Sequence, residues 1–111
     1  MAEHTLKEMT QAVVDNIKQH SKTGTKPWTY EVATKDLACQ LGVLTKLMMQ
    51  YDGERFAHGD TKEEIKSKVA DELADILSLV LFISHEMGID IERAHNAAIF
   101  ADKRKIDARL R

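Results

Sequence analysis

One long amphipathic segment, residues 61–88, constrains most strongly how this chain can fold. Its apolar residues recur at steps of three and four, which is the period of an α-helix. Thr61 followed by Glu64 has the pattern of a capping box, and Gly88 is typical of a helix end. The segment therefore predicts one long helix with an apolar face formed by Ile65, Val69, Leu73, Ile76, Leu77, Val80, Ile83 and Met87.

Two carboxylates, Glu72 and Asp75, lie against that apolar face. Helical projection puts Glu72 on the apolar side and Asp75 about one sixth of a turn further round. Because they are three residues apart, both can contact the same ligand. Burying an unpaired carboxylate costs on the order of several kcal/mol unless a cation, a basic side chain or a helix cap offsets it. From the residues alone, pairing with a neighbouring helix and binding of a cation both remain open.

Three further helices are predicted around this one. The first covers Leu6 to about His20, and the second runs from Trp28 or Thr29 to about Gln50. The last begins after a cap at Asp90, and its small residues favour close packing. One proline and five glycines in 111 residues also favour long helices over many strands. The alanines that would allow this close packing are Ala94, Ala97, Ala98 and Ala101.

The short connections between these helices predict an antiparallel four-helix bundle, a single all-α domain over residues 1–111. Helices this long in so small a chain leave apolar surface that one subunit cannot cover. We therefore expect a homo-oligomer, in which Leu79, Phe82 and the Met48–Met49 pair extend the apolar stripes beyond one subunit.

Composition narrows the classes of partner and compartment. The formal net charge is −2, so no direct nucleic-acid partner is expected. The single cysteine, Cys39, cannot form an internal disulfide, which fits a reducing compartment. The longest apolar run, residues 77–83 with Ser78 inside it, is too short to span a bilayer, and the first ten residues have no apolar core of a signal peptide. We expect a cytoplasmic protein without a membrane partner.

The segment DELADILSLVLFISHEMGIDIERA, residues 71–94, resembles the MazG-like all-α nucleoside triphosphate pyrophosphatases. In that family, a helix bearing an ExxD motif is followed by a Gly-Ile-Asp turn and another helix. The resemblance covers roughly residues 28–104 and implies a helical bundle assembled as homodimers or homotetramers. Residues 28–48 resemble the family's preceding helix through Trp28, Asp36, Leu37, Gly42, Leu44 and Lys46.

The resemblance also implies an activity. The family hydrolyses a nucleoside triphosphate to the monophosphate and pyrophosphate with Mg²⁺, for which Mn²⁺ is the expected substitute. Its ExxD motif falls on Glu72 and Asp75, which are thereby implied as catalytic residues and metal ligands. Lys103 and Arg104 are the nearest equivalents of the basic residues that lie near bound phosphates in the family's last helix.

The family's other metal-binding motif, EExxE on the earlier helix, is not preserved here. It falls on Cys39, Gln40 and Val43, so all three acidic positions are lost. Gln40 keeps a side-chain oxygen, and Asp36, one turn earlier, is a substitute ligand. The expected ligand set is therefore Glu72, Asp75, Gln40 and Asp36.

This loss of charge leaves two functions open. One unit charge at about 4 Å is worth roughly 4 kcal/mol at an effective dielectric near 20, so a reduced carboxylate set binds a divalent ion more weakly. The chain is then either a nucleotide pyrophosphohydrolase or a catalytically impaired homologue that serves as a nucleotide-binding or protein-interaction module. If the resemblance is accidental, a plain helical interaction module remains, since four-helix bundles host many functions.

Overall fold

The structure is a computed structural model that describes residues 3–24 and 26–111. Turns and short connectors link the helices, and the described residues contain no strand. The predicted all-α class is confirmed, and each helix lies where the periodicity placed it. The four helices are α1 (Leu6–Ser21), α2 (Tyr30–Tyr51), α3 (Lys62–Glu86) and α4 (Ile91–Arg109).

The predicted helix ends are also confirmed. At the start of α3, the Glu64 backbone N–H donates to Thr61 Oγ1 at 3.2 Å, and the Thr61 backbone N–H donates to Glu64 Oε1 at 3.3 Å. Thr29 caps α2 and Asp90 caps α4. Gly88 follows α3 with a φ of +67°, a left-handed conformation that glycine adopts without a steric penalty. The local sequence therefore sets where α3 and α4 begin.

The packed part of the chain consists of α1, α2 and α3, with α3 contacting both other helices. Its buried centre contains Val14, Ala33, Leu79 and Phe82. Apolar side chains from all three helices and the connector before α2 surround this centre. These half-buried residues are Val13, Ile17, Trp28, Leu37 and Ile83.

The buried side of α3 differs from the predicted apolar face. Leu73, Leu77 and Met87 were expected inside but are 51%, 45% and 56% exposed. Leu79 and Phe82 were expected to extend beyond one subunit, and this is wrong because both are buried within the chain. The reason is that α1 packs on the side of α3 that carries Leu79 and Phe82. Periodicity shows that a helix has apolar sides, but not which of them a neighbour covers.

The last helix, α4, packs against little of the described chain. Each of its residues is at least partly exposed, so the close packing expected from its alanines is not seen within one chain. Met48 on α2 is exposed, as predicted, while Met49 is half-buried. The described helices include none that is both long enough and apolar enough to cross a membrane.

Candidate functional site

A polar cleft of about 330 Å³ lies where α1, α2 and α3 meet. Three of the four predicted metal ligands line it, namely Asp36 and Gln40 from α2 and Asp75 from α3. Trp28 lines it too, from the connector before α2. The fold therefore brings Asp75 together with Asp36 and Gln40, which precede it by 39 and 35 positions in the sequence. The other lining residues are Val13, Asn16, Ile17, His20, Ser78 and Leu79.

Glu72, the fourth predicted ligand, lies one turn before Asp75 on α3 and is buried. Its Oε1 atom is buried and has no hydrogen-bond partner among the described residues. Such an atom is rare in folded proteins, where buried polar groups are nearly always satisfied. Burial raises the pKa of the Glu72 carboxyl, and the negative charges of Asp75 and Asp36 raise it further. A cation bound beside Glu72 would relieve both effects.

On α2, Asp36 and Gln40 are joined by a hydrogen bond. The Gln40 side-chain amide donates to Asp36 Oδ1 at 3.3 Å, and both side chains are partly buried. The four-residue spacing puts them on one face of α2, the face that meets α3. Asp36 was predicted only as a substitute ligand, and the fold brings it within electrostatic range of Glu72.

The other two positions of the EExxE frame lie outside this cleft. Cys39 is exposed, and Val43 is 45% exposed. Neither residue lines the cleft in the described part of the chain. Gln40 is therefore the one position of that frame which the structure brings to the candidate site, and it contributes no charge.

The predicted phosphate-binding residues, Lys103 and Arg104, are on α4 and exposed. Lys103 Nζ pairs with Asp107 Oδ1 at 3.1 Å on the same helix. Neither Lys103 nor Arg104 lines the cleft in the described part of the chain. Of the residues that do line it, His20 is the one whose side chain can carry a positive charge. One chain alone does not bring the basic residues of α4 to the carboxylates.

Sequence reasoning missed the contribution of α1 to this cleft. Asn16 and His20 line it from α1, next to the apolar residues Val13 and Ile17. Their four-residue spacing places two polar groups on the edge of an apolar stripe, and this is the signal that could have identified them. Ser78 on α3 was missed for a different reason, since a serine three residues after Asp75 has no distinctive pattern.

The oxygen donors in and beside the cleft fit Mg²⁺ in kind. Mg²⁺ prefers oxygen ligands, and carboxylate and amide oxygens are what Asp75, Asp36 and Gln40 supply in the cleft and what Glu72 supplies one turn before Asp75. Among the described residues, no three His, Cys, Asp or Glu side chains are grouped closely enough to hold an ion by themselves. Mg²⁺ is usually held by one or two carboxylates together with waters and substrate phosphates. The site therefore fits an ion that arrives with phosphate oxygens, rather than a cage built of protein ligands.

Comparisons with protein-family models, with curated proteins and with solved structures found no match for this chain. The MazG-like resemblance therefore rests on the sequence motifs given above.

Proposed function

We propose that this chain is a MazG-like nucleotide pyrophosphohydrolase that cleaves a nucleoside triphosphate to the monophosphate and pyrophosphate with Mg²⁺ or Mn²⁺. The observation that carries the proposal is the buried Glu72 carboxylate. Its Oε1 atom has no hydrogen-bond partner among the described residues, and the negative charges of Asp75 and Asp36 act on it. A carboxylate buried for structural reasons needs a basic partner or a cap, because a lone buried charge is strongly destabilising. Glu72 has no such partner among the described residues, which favours a cation site over helix pairing.

Each residue has a proposed part in binding. Glu72 and Asp75 would hold the ion, and Asp36 and Gln40 would offer further oxygens from the facing helix. When bound, Mg²⁺ would neutralise charge on the phosphates and activate a water. Hydrolysis as a whole adds one water across the bond between the α-phosphorus and the bridging oxygen, and pyrophosphate leaves. The chain's contribution is a set of carboxylate and amide oxygens that would hold the ion accompanying the triphosphate.

The rest of the cleft suits the nucleoside. Trp28 offers an aromatic surface, and stacking of a base on such a surface is worth roughly 1–3 kcal/mol. Asn16 offers both a donor and an acceptor for the edge of the base. A volume of about 330 Å³ is at the small end for ligand sites, so one mononucleotide would fill it.

A second function is favoured by a specific observation, the uncharged Gln40 at the one position of the EExxE frame that lines the cleft. Without a carboxylate at this position, the affinity for a divalent ion falls, and the chain would then bind a nucleotide without turning it over. In this alternative the protein is a catalytically impaired homologue that acts as a nucleotide-binding or protein-interaction module.

Isothermal titration of Mg²⁺ and Mn²⁺ into the full chain tests metal binding. The titration is run with and without a non-hydrolysable triphosphate, on the wild type, Glu72→Gln and the control Glu63→Gln. Glu63 is an exposed carboxylate in the first turn of the same helix. We expect saturable binding in the presence of nucleotide that Glu72→Gln loses and Glu63→Gln keeps. An absence of binding up to millimolar metal, with or without nucleotide, would contradict the proposal.

Pyrophosphate release over a panel of nucleoside triphosphates then separates the two functions. A hydrolase releases pyrophosphate from at least one of them, and Glu72→Gln lowers this rate by roughly 100-fold or more, because metal stabilisation of the transition state is worth several kcal/mol. Metal-dependent nucleotide binding with no release from any of them would instead support the impaired homologue.

A further inference from the structure

The side chain of Gln40 has two polar atoms, and each of them can serve the cleft in a different way. Its oxygen can contact an ion, as expected from the sequence, whereas its nitrogen can only donate hydrogen bonds. In the structure the nitrogen is engaged, because Gln40 Nε2 donates to Asp36 Oδ1 at 3.3 Å. The amide is therefore joined to a neighbouring carboxylate rather than free in the cleft.

Helix geometry explains why these two side chains meet. Side chains of an α-helix lean toward its N-terminus, so a long side chain covers the residue four positions earlier. Gln40 is long enough to reach back to Asp36, and it carries the donor that a carboxylate accepts. A glutamate in its place would have no donor and would put a second negative charge beside Asp36. The pairing therefore requires the amide group of glutamine.

This hydrogen bond lies at the edge of the buried core. Gln40 projects within about 20° of Ala33 and about 60° of Leu37 around the axis of α2. Ala33 is fully buried, and Leu37 packs against the buried centre. Gln40 and Asp36 are themselves partly buried. Because water is partly excluded there, the hydrogen bond fixes the Asp36 side chain more firmly than it would on an open surface.

Asp36 needs such a constraint because its neighbours in the cleft are also negative. Asp75 lines the cleft from the facing helix, and the charge of Asp36 acts on Glu72. In the described part of the chain, no salt bridge includes any of these three carboxylates. Like charges repel, so an unconstrained Asp36 side chain would turn toward water. The hydrogen bond from Gln40 opposes this movement, and because it uses Oδ1, it leaves Oδ2 available to an ion.

A second Gln–Asp pair with the same spacing provides a comparison within the chain. On α1, Gln11 Nε2 donates to Asp15 Oδ1 at 2.9 Å. Both residues are exposed, and neither lines the cleft in the part of the chain that the structure describes. The two pairs share their local chemistry and differ in their surroundings. The pair on α1 is therefore a matched control for the pair on α2.

We propose that Gln40 is a positioning residue, which holds the Asp36 carboxylate toward the cleft so that Asp36 binds the ion accompanying the triphosphate. This inference rests on the proposed function and narrows the part of Gln40 in it, from an ion ligand to a residue that acts through a ligand. It also gives a reason for an uncharged side chain at this position of the EExxE frame, because Asp36 needs a donor there.

A double-mutant cycle on ion binding tests whether Gln40 acts through Asp36. Mn²⁺ is titrated calorimetrically, with a non-hydrolysable triphosphate present, into the wild type, Gln40→Met, Asp36→Ala and the double variant. Methionine keeps the length of the side chain but has no donor. Binding stays measurable without Asp36 because Glu72 and Asp75 are kept. We expect Gln40→Met to weaken binding by roughly 10-fold in the wild type and by less than about twofold in Asp36→Ala. The control Gln11→Met should leave binding unchanged.

The titration separates failure of this inference from failure of the proposed function. Equal weakening by Gln40→Met with and without Asp36 would show that Gln40 contacts the ion by itself, and this would overturn the inference while the ion site stands. A wild type that binds no ion up to millimolar concentration would overturn the proposed function and the inference together.

Nuclear magnetic resonance gives a readout that needs neither ion nor nucleotide. The side-chain amide signals of Gln40 are assigned by their loss in Gln40→Met. We expect Asp36→Ala to shift these signals and to speed the exchange of their protons with water, because the acceptor is gone. Signals that Asp36→Ala leaves unchanged would show that Gln40 does not hold Asp36, which would overturn the inference whatever the titration shows.

Discussion

Two sides of α3 both carry apolar residues but differ in their surroundings. On one side, α1 covers Leu79 and Phe82 and lines the cleft that contains Asp75. On the other side, Leu73 and Leu77 remain exposed. The apolar content of the sequence does not distinguish the two sides. What distinguishes them is which helix lies next to each side within one chain.

Two adjacent residues of α3 show this contrast most clearly. Glu72 is only 8% exposed, while Leu73, the next residue, is 51% exposed. A buried carboxylate is the reverse of the usual preference, whereas an exposed leucine is common on protein surfaces. Such a reversal is expected where a protein binds something, because function tolerates what stability alone would remove. We assign the buried Glu72 to the proposed ion.

The largest effect should come from removing a core side chain on the covered side. Phe82 is 1% exposed, and Phe82→Ala is expected to lower the free energy of unfolding by about 3–5 kcal/mol. Phe100→Ala on α4 removes the same side chain where it is 65% exposed, and its effect in a dilute monomer should stay within about 0.5 kcal/mol. Urea denaturation followed by circular dichroism measures both.

Equal effects of these two phenylalanine variants at low concentration would show that α4 belongs to the core of one chain. An effect of Phe100→Ala that grows with protein concentration would instead show that α4 is stabilised by association.

A smaller effect is expected from neutralising Glu72 on the covered side. The pKa of Glu72 is raised in the fold, by burial first and then by Asp75 and Asp36. A carboxyl with a raised folded pKa contributes stability below its unfolded pKa, near 4.5, and loses that contribution as the pH rises through the folded value. Glu72→Gln should therefore be more stable than wild type at pH 7 without metal, and this advantage should vanish below about pH 4.5.

Thermal unfolding from pH 4 to pH 8 in the presence of a chelator measures this difference. Glu63→Gln, at an exposed position of the same helix, serves as the control and should show no such gain. Saturating Mg²⁺ with nucleotide should then stabilise the wild type but not Glu72→Gln. A wild type that is more stable than Glu72→Gln at pH 7 without metal would mean that a partner already satisfies the carboxylate.

The sequence was sufficient to predict local structure. Helix ends follow from contacts within four residues, and the caps at Thr29, Thr61 and Asp90 lie as predicted. The placement of Glu72 and Asp75 within one turn of the same helix also follows from their spacing in the sequence. These features depend on chemistry that adjacent residues carry with them.

Packing between helices could not be predicted in the same way. The periodicity of α3 shows two apolar sides, and another helix could pack on either of them. The side that carries Phe82 is buried because α1 packs there. Likewise, the contribution of Asn16 to the cleft depends on a contact between distant segments. Such contacts require the relative position of three helices, which periodicity alone does not provide.

The smallest effect tests whether the outer side of α2 is open to solvent. A Cβ atom at Gly42 would meet nothing within 4 Å among the described residues, and Gly42 lies in the interior of the helix. Gly42→Ala should therefore raise the free energy of unfolding by about 0.5–1 kcal/mol, through helix propensity alone. The reverse change on the covered side, Ala33→Gly, should lower the free energy of unfolding by more than this amount. Ala33 is fully buried, and its methyl group packs in the core. Urea denaturation of dilute monomer measures both. A loss of stability in Gly42→Ala would mean that this side of α2 is already covered within one chain.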